Sequence, residues 1–259
     1  VLNAGCKEKD IAWIKQNLPP GVKLFPMEKR SLIAVQGPWS ERIVHEVFDY
    51  DPAGQGYMTL ARAQTGYGVP VYISRLGYTG EDGFEISLPD EEAPETWEAL
   101  INHSQAMPVG LAARDSLRLE MGYPLYGHDI DDTTSPVEAD LGWIIGKGNT
   151  GFIGAARVLK DIQNGTQRKR TGIKLLDKGV AREGAEIRNE AGEKIGILTS
   201  GGFSPSLKES IGQGYVETPY AKPGTKIFVH VRGRDIAAET AGISFVTPKT
   251  KSVKSKEAA

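Results

Sequence analysis

The sequence predicts a chain in which an α+β domain is followed by an all-β domain. In the first part, amphipathic helical patterns alternate with short apolar runs that are typical of buried strands. From residue 171 onward, short strands recur at regular spacing between glycine-containing turns, which is typical of a small antiparallel barrel or sandwich. A polar segment at 163–167 and the basic run 168–170 separate the two patterns. We therefore predict domains at 1–165 and 166–247.

The composition of the 259 residues limits the classes of protein to be considered. Apolar residues make up 39% and charged residues 25%, and the net charge of −2 gives no overall field for nucleic acid or an anionic membrane. The single cysteine, Cys6, excludes an internal disulfide framework and suits a reducing compartment. No stretch approaches the ~20 apolar residues that span a bilayer. The four histidines lack metal-ligand spacing, so we expect no metal site.

The helices and strands of the first domain follow from the spacing of apolar residues. Each predicted helix repeats them at three and four residues, and we expect Ser40 and Asp90 to cap two of these helices. The predicted helices cover Lys7–Leu18, the segment after Ser40, Glu91–Gln105, Ala112–Met121 and Phe152–Asp161. The predicted strands cover Arg30–Gln36, Val69–Arg75, Phe84–Leu88 and Leu141–Gly146.

Six short strands are predicted in the second domain, and a lysine-containing tail follows them. The strands cover Thr171–Leu175, Ala185–Arg188, Lys194–Thr199, Ile211–Val216, Lys226–Val231 and Asp235–Glu239. The tail has almost no apolar residue to bury, and we therefore predict disorder over 248–259.

A glycine-rich loop, Gly77–Gly83, joins two predicted strands and marks a β-hairpin. Glu85 follows it between Phe84 and Ile86, and strand alternation places its side chain on the face opposite to theirs. A carboxylate fixed on a strand beneath a loop that bears Tyr78 is able to accept two N–H bonds from a flat nitrogen heterocycle. The alternative is an ordinary hairpin with a solvated glutamate.

Two charged segments follow the hairpin. Arg114 and Arg118 share one side of a predicted helix, and Arg114 is either a ligand for an anionic or planar group or a surface charge. Asp129, Asp131 and Asp132 cluster nearby without the spacing of a calcium loop. We interpret that cluster as a solvated acidic loop.

Several of these motifs, taken in order, resemble the T-protein family of the glycine cleavage system. The matching segments are Val1–Cys6 (VLNAGC), Gln36–Pro38 (QGP), Gly77–Ile86 (GYTGEDGFEI), Gly110–Glu120 (GLAARDSLRLE), Leu125–Gly127 (LYG), Ser135–Glu138 (SPVE) and Thr199–Leu207 (TSGGFSPSL). They extend over nearly all of the chain up to Phe245. The family consists of tetrahydrofolate-dependent aminomethyltransferases.

The resemblance implies a folate-binding domain followed by an antiparallel β-barrel. By the same resemblance Glu85 binds the pterin ring, Arg114 binds the folate, and Tyr78 and Asn3 complete the substrate-binding set. The implied reaction moves a one-carbon unit from the aminomethyl-lipoyl arm of H-protein to tetrahydrofolate and releases ammonia. The implied partners are lipoylated H-protein and folate, and we expect neither nucleic acid nor a membrane as a partner. The implied location is the cytoplasm or, in a eukaryote, the mitochondrial matrix.

Two departures from the family pattern bear on activity. The catalytic aspartate of the family lies in an Asp-Asp strand upstream of the segment that matches Val1–Ala4, so the resemblance assigns no catalytic residue to this chain. The sequence also opens without methionine, and in the resembled family roughly the first quarter of the protein precedes this point. We therefore expect a chain that lacks its N-terminal quarter and, without the catalytic aspartate, is inactive by itself. Ser244–Pro248 also lacks the tyrosines that some members carry there.

Two related classes of protein are alternatives. One is the folate-binding domain of a flavin-linked dimethylglycine or sarcosine oxidase, which shares most of these motifs. The other is a non-catalytic folate-binding module related to iron–sulfur cluster assembly factors. The Lys-Gly-Cys-Tyr-x-Gly-Gln-Glu segment of those factors has no counterpart here, where the single cysteine is Cys6.

Overall fold

The structure, a computed structural model, describes residues 1–252. Its helices are α1 (Lys7–Gln16), α2 (Ser40–Val47), α3 (Ala93–Ile101), α4 (Leu111–Glu120) and α5 (Ala155–Asn164). Its strands are β1 (Arg30–Gln36), β2 (Thr59–Gln64), β3 (Pro70–Arg75), β4 (Gly83–Pro89), β5 (Arg168–Leu175), β6 (Glu186–Arg188), β7 (Lys194–Ser204), β8 (Glu209–Glu217), β9 (Lys226–Val231) and β10 (Arg234–Ala241). No described helix has the length and apolar character needed to cross a membrane.

The first domain is built on a four-stranded antiparallel sheet in the order β1-β4-β3-β2. Strand alternation turns one face of the sheet toward α2 and α3, where Ile73, Phe84 and Ile86 are fully buried. Burial of each such side chain stabilises the fold by roughly 1.5–3 kcal/mol. The opposite face of β4 carries Glu85, as alternation predicts.

The predicted hairpin is confirmed. β3 and β4 pair antiparallel with Ile73 opposite Ile86 and Ser74 opposite Glu85. The glycine loop, residues 77–83, connects them, and Gln36 at the end of β1 lies opposite Gly83.

The second domain is a closed six-stranded antiparallel barrel in the order β10-β5-β8-β7-β6-β9. All six predicted strands are present, and β7 continues beyond its predicted end at Thr199 to Ser204. The apolar interior consists of residues that alternate inward along the strands: Ile173, Leu175, Ile187, Ile195, Leu198, Val216, Ile227, Val229 and Ala238, with Ala181 from a loop. The structure therefore resolves the choice between barrel and sandwich.

Three local predictions were wrong. The predicted strand at 141–146 is a short 3₁₀-helix, Gly142–Ile144, in which Trp143 is 75% exposed, because a short apolar run does not by itself specify a strand. Neither predicted cap forms. The Ser40 hydroxyl donates to the carbonyl oxygen of Asp82, and the Asp90 carboxylate accepts from Ser31.

The chain after β10 returns to the first domain. Phe245 N donates to Glu120 O over 2.8 Å, Lys249 N donates to Gly80 O over 2.7 Å, and Tyr57 N donates to Lys251 O over 2.8 Å. The disorder predicted for 248–259 is therefore wrong at the start of that segment, because its backbone and lysines bond to the first domain. Residues 253–259 lie outside the described residues. The boundary at 165/166 stays a prediction.

Candidate functional site

A cavity of about 530 Å³ opens in the first domain, next to the glycine loop. Three of the four predicted binding residues, Glu85, Tyr78 and Arg114, line it together. Its other walls come mainly from β1, α3 and residues 105–109, and they are largely apolar. A pocket with flat apolar walls and a few convergent polar groups is the usual form of a site for a small organic ligand.

Glu85 reaches the cavity because its strand neighbours Phe84 and Ile86 are fixed in the core on the other face. Burial raises the pKa of its carboxyl above the ordinary value, and the Arg114 guanidinium opposes that rise. Within residues 1–252 this carboxylate accepts no hydrogen bond, so both of its oxygens are available to a ligand.

Tyr78 contributes its ring rather than its hydroxyl. The hydroxyl already donates to Pro124 O over 2.5 Å. The ring stacks with that of Tyr123, with centroids 5.5 Å apart and an interplanar angle of 22°. Burial raises the pKa of the Tyr78 phenol, so Tyr78 is neutral at physiological pH.

Arg114 lies on the exposed first half of α4, and its guanidinium stands 4.6 Å from the centre of the Tyr78 ring. This cation–π contact holds a planar cation at the cavity wall, where it can meet a carboxylate or a ring edge. Arg118, one turn later, behaves differently. It is buried and donates to Asp129 and Ser200 over 2.8 and 3.0 Å.

Asn3 is not brought to this cavity. It is exposed, and its carbonyl oxygen accepts from Cys6 N at the start of a short 3₁₀-helix, Ala4–Cys6. Its assignment to the substrate-binding set stays a prediction.

Gln36 holds the glycine loop in shape, a role that the sequence analysis missed. Its side-chain amide donates to Leu76 O and Phe84 O over 3.1 and 3.3 Å, and its Oε1 accepts from Thr79 over 2.8 Å. A Cβ placed on Gly77 would lie 1.9 Å from Gln36 Oε1. A side chain at position 77 would therefore displace the Gln36 amide from these hydrogen bonds. The sequence signal for this role was a polar residue at the end of an apolar strand that precedes the glycine-rich loop.

Asp129 was wrongly assigned to a solvated loop, because it is only 1% exposed. Its carboxylate accepts from Arg118 and Gln213 over 2.8 Å, from Thr199 over 2.5 Å and from Ser200 over 2.9 Å. These donors come from α4, β7 and β8, so the carboxylate joins the first domain to the barrel. The backbone N–H of Leu125 also donates to this carboxylate over 2.8 Å, but the four side-chain donors lie 11 to 84 residues away in sequence, and no local pattern reveals them.

The other two aspartates of the cluster, Asp131 and Asp132, are exposed as expected. Asp132 pairs with Lys9 over 2.8 Å. No group of three or more potential metal ligands occurs among residues 1–252.

The arrangement fits a flat, nitrogen-rich heterocycle with an anionic arm. Glu85 offers two acceptor oxygens for ring N–H groups, the Tyr78 ring and apolar walls suit a planar ligand, and Arg114 offers a cation for the arm. A half-buried carboxylate that accepts no hydrogen bond from residues 1–252 is suited to binding a donor-rich ligand.

Two family models match the chain. The family model described as GCVT N-terminal domain matches residues 1–149, and the one described as glycine cleavage T-protein C-terminal barrel domain matches residues 168–246.

Among curated proteins, the aminomethyltransferase of Halothermothrix orenii is 40% identical over 95% of this chain and 70% of its own length. The mitochondrial aminomethyltransferase of Flaveria trinervia is 42% identical over 96% of this chain and 63% of its own length, and the probable mitochondrial aminomethyltransferase of Schizosaccharomyces pombe is 40% identical over 95% and 64%. The chain thus spans a little under two thirds of the length of these last two relatives.

A solved structure shows the same fold. The crystal structure of glycine cleavage system aminomethyltransferase T from Bartonella henselae superposes with a TM-score of 0.89 at 36% sequence identity, and the match covers 96% of this chain and 68% of the other. On these grounds the chain belongs to the glycine cleavage T-protein family.

Proposed function

We propose that this chain carries the folate-binding site of a tetrahydrofolate-dependent aminomethyltransferase of the glycine cleavage system. The observation that carries the proposal is the convergence of Glu85, Tyr78 and Arg114 on one cavity. These are the positions to which the family resemblance assigns folate binding.

The proposed reaction moves the one-carbon unit from the aminomethyl group on a lipoyl arm to tetrahydrofolate and releases ammonia. The arm belongs to the lipoylated H-protein, which is the proposed macromolecular partner. We place the reaction in the cytoplasm, or in the mitochondrial matrix of a eukaryote.

In this proposal the residues of the chain bind and orient rather than transfer protons. Glu85 accepts two parallel N–H bonds from the pterin, which fixes the in-plane rotation of the ring. The Tyr78 ring and the apolar walls position its plane, and Arg114 binds the anionic arm or a ring edge. Holding the acceptor nitrogen in a fixed place is itself a large part of the catalysis of group transfer.

Isothermal titration with tetrahydrofolate tests this assignment. Glu85→Gln keeps the size of the side chain and loses the charge, and we expect the dissociation constant to rise ~10- to 100-fold, which corresponds to ~1.5–3 kcal/mol. The control is Glu217→Gln, which removes an exposed carboxylate at the end of β8, outside the cavity. Equal affinity of wild type and Glu85→Gln would remove Glu85 from the site.

Ammonia release in the presence of aminomethylated H-protein and tetrahydrofolate tests the reaction itself. We expect no measurable turnover from the 259-residue chain alone, because its described residues supply binding groups and the resemblance assigns the catalytic aspartate to none of them. Turnover by this chain would show that one of its own carboxylates, Asp115 or Glu85, does the catalytic work.

A further inference from the structure

We propose that Lys249 and Lys251 are positioning residues that hold the glycine loop, and with it Tyr78, in the shape required for the folate site. They belong to the segment 248–251 after the barrel, which we call the strap. The inference rests on the proposed function for its ligand, and on the contacts of the strap for its geometry.

Lys249 contacts the glycine loop twice. Its backbone N–H donates to Gly80 O over 2.7 Å, and its ammonium group pairs with Glu81 over 2.6 Å. Gly80 has a φ of +76°, and a Cβ there would lie 2.3 Å from the sulfur of Met121 at the end of α4. Gly80 is thus the residue of the loop that lies against both Met121 and the strap, and its backbone conformation favours glycine.

Lys251 is connected to Asp82 of the glycine loop through two intervening charged residues. Its ammonium group pairs with Glu41 over 2.7 Å, and Glu41 also pairs with the fully buried Arg75. Arg75 donates two bonds to Asp82 in the glycine loop, over 2.9 and 2.5 Å. The Lys251 hydrogen bond is the largest of the contacts that lower the pKa of the Glu41 carboxyl, so this carboxylate stays charged.

The exposure of the strap lysines indicates local positioning rather than a contribution to overall stability. The side chain of Lys249 is 70% exposed, and exposed ion pairs contribute little to the free energy of unfolding. A glycine-rich loop, however, has much conformational freedom to lose, and each contact that orders it before binding lowers the entropic penalty of binding.

The test uses Lys249→Ala/Lys251→Ala in the full 259-residue chain, with Lys174→Ala as the matched control. Lys174 pairs with Glu209 over 2.8 Å on the barrel, a partly exposed ion pair that does not touch the loop. The first measurement is ¹⁵N relaxation of the amides of residues 77–83 without ligand. We expect order parameters of about 0.85 in the wild type and control, falling toward about 0.6 in the double variant.

The second measurement is the affinity for tetrahydrofolate. We expect about three- to tenfold weaker binding by the double variant, a wild-type-like control, and recovery when Lys249→Glu is combined with Glu81→Lys. Wild-type affinity should also fall in about 1 M salt, which screens exposed pairs.

The outcomes separate this inference from the proposed function. If the loop loosens in the double variant but the wild type does not bind tetrahydrofolate, the contact between strap and loop is supported and the folate site is rejected. Unchanged order parameters in the double variant, or a loosened loop with unchanged affinity, would overturn the positioning role.

Discussion

Glu85 is a half-buried carboxylate without a hydrogen-bond partner among residues 1–252, and this environment links ligand binding to stability. Its pKa is raised in the folded protein, so the folded state binds this proton more tightly than the unfolded state does. The free energy of unfolding therefore falls as the pH rises from about 4.5 through the folded-state pKa. The binding group destabilises the ligand-free protein at neutral pH.

Replacing Glu85 by glutamine should consequently raise the melting temperature of the ligand-free protein at pH 7, on the order of 1 °C. Near pH 4 the difference should shrink, because the wild-type carboxyl is then protonated. Differential scanning calorimetry at the two pH values measures both effects. A melting temperature at pH 7 that is equal to or below the wild-type value would contradict the desolvation argument.

Asp129 shows the opposite case, a buried charge whose partners are all present. Asp129→Ala removes the buried charge partner of Arg118 and leaves that guanidinium paired with the exposed Asp115. We expect a loss of ~3–5 kcal/mol in the free energy of unfolding by urea titration. Asp132→Ala in the same cluster is the control, and the loss of its exposed pair with Lys9 should change the free energy of unfolding far less. Equal effects of the two substitutions would show that burial of Asp129 is not the deciding factor.

At the scale of elements, alternation and apolar spacing predict most of the architecture. The strand pattern around Glu85 predicted which face it occupies, and the spacing of six short strands predicted an all-β second domain. Features that depend on tertiary contacts were not predicted. Trp143 is exposed although it lies in an apolar run, and Asp129 and Lys249 bind residues that are distant in sequence. Whether such a residue is buried, exposed or paired depends on residues that the local sequence does not identify.

The glycine loop depends on an element outside the hairpin, the end of β1. Gln36→Glu keeps the acceptor for Thr79 and loses the N–H donors to Leu76 O and Phe84 O. Leaving these carbonyls unpaired beside a carboxylate should reduce the free energy of unfolding by ~1–3 kcal/mol and weaken tetrahydrofolate binding.

Chemical denaturation followed by titration with the ligand measures both effects. Gln163→Glu on the exposed side of α5 is the control for the change in charge. Wild-type stability of Gln36→Glu would mean that the glycines alone fix the loop.

At the scale of the whole molecule, the barrel and the strap support a site that lies in the first domain. Arg118 and Glu120 in the second half of α4 bond to Ser200, Ser204 and Ser206 of the barrel domain, and the first half of the same helix presents Arg114 to the cavity. The strap, which follows the barrel in sequence, contacts the glycine loop through Lys249. The second domain thus fixes the two elements that carry Arg114 and Tyr78.

The central claim is that the cavity of Glu85, Tyr78 and Arg114 is a folate site, and the structure of the chain bound to tetrahydrofolate tests it most directly. We expect the pterin to lie in this cavity with two N–H groups about 2.7–2.9 Å from the Glu85 oxygens. We also expect the ring of the ligand to lie against the apolar walls and the Arg114 guanidinium to contact its edge or anionic arm. A pterin bound elsewhere, such as in the shallow hollow beside Asn189 and Tyr220 on the barrel, would contradict the claim.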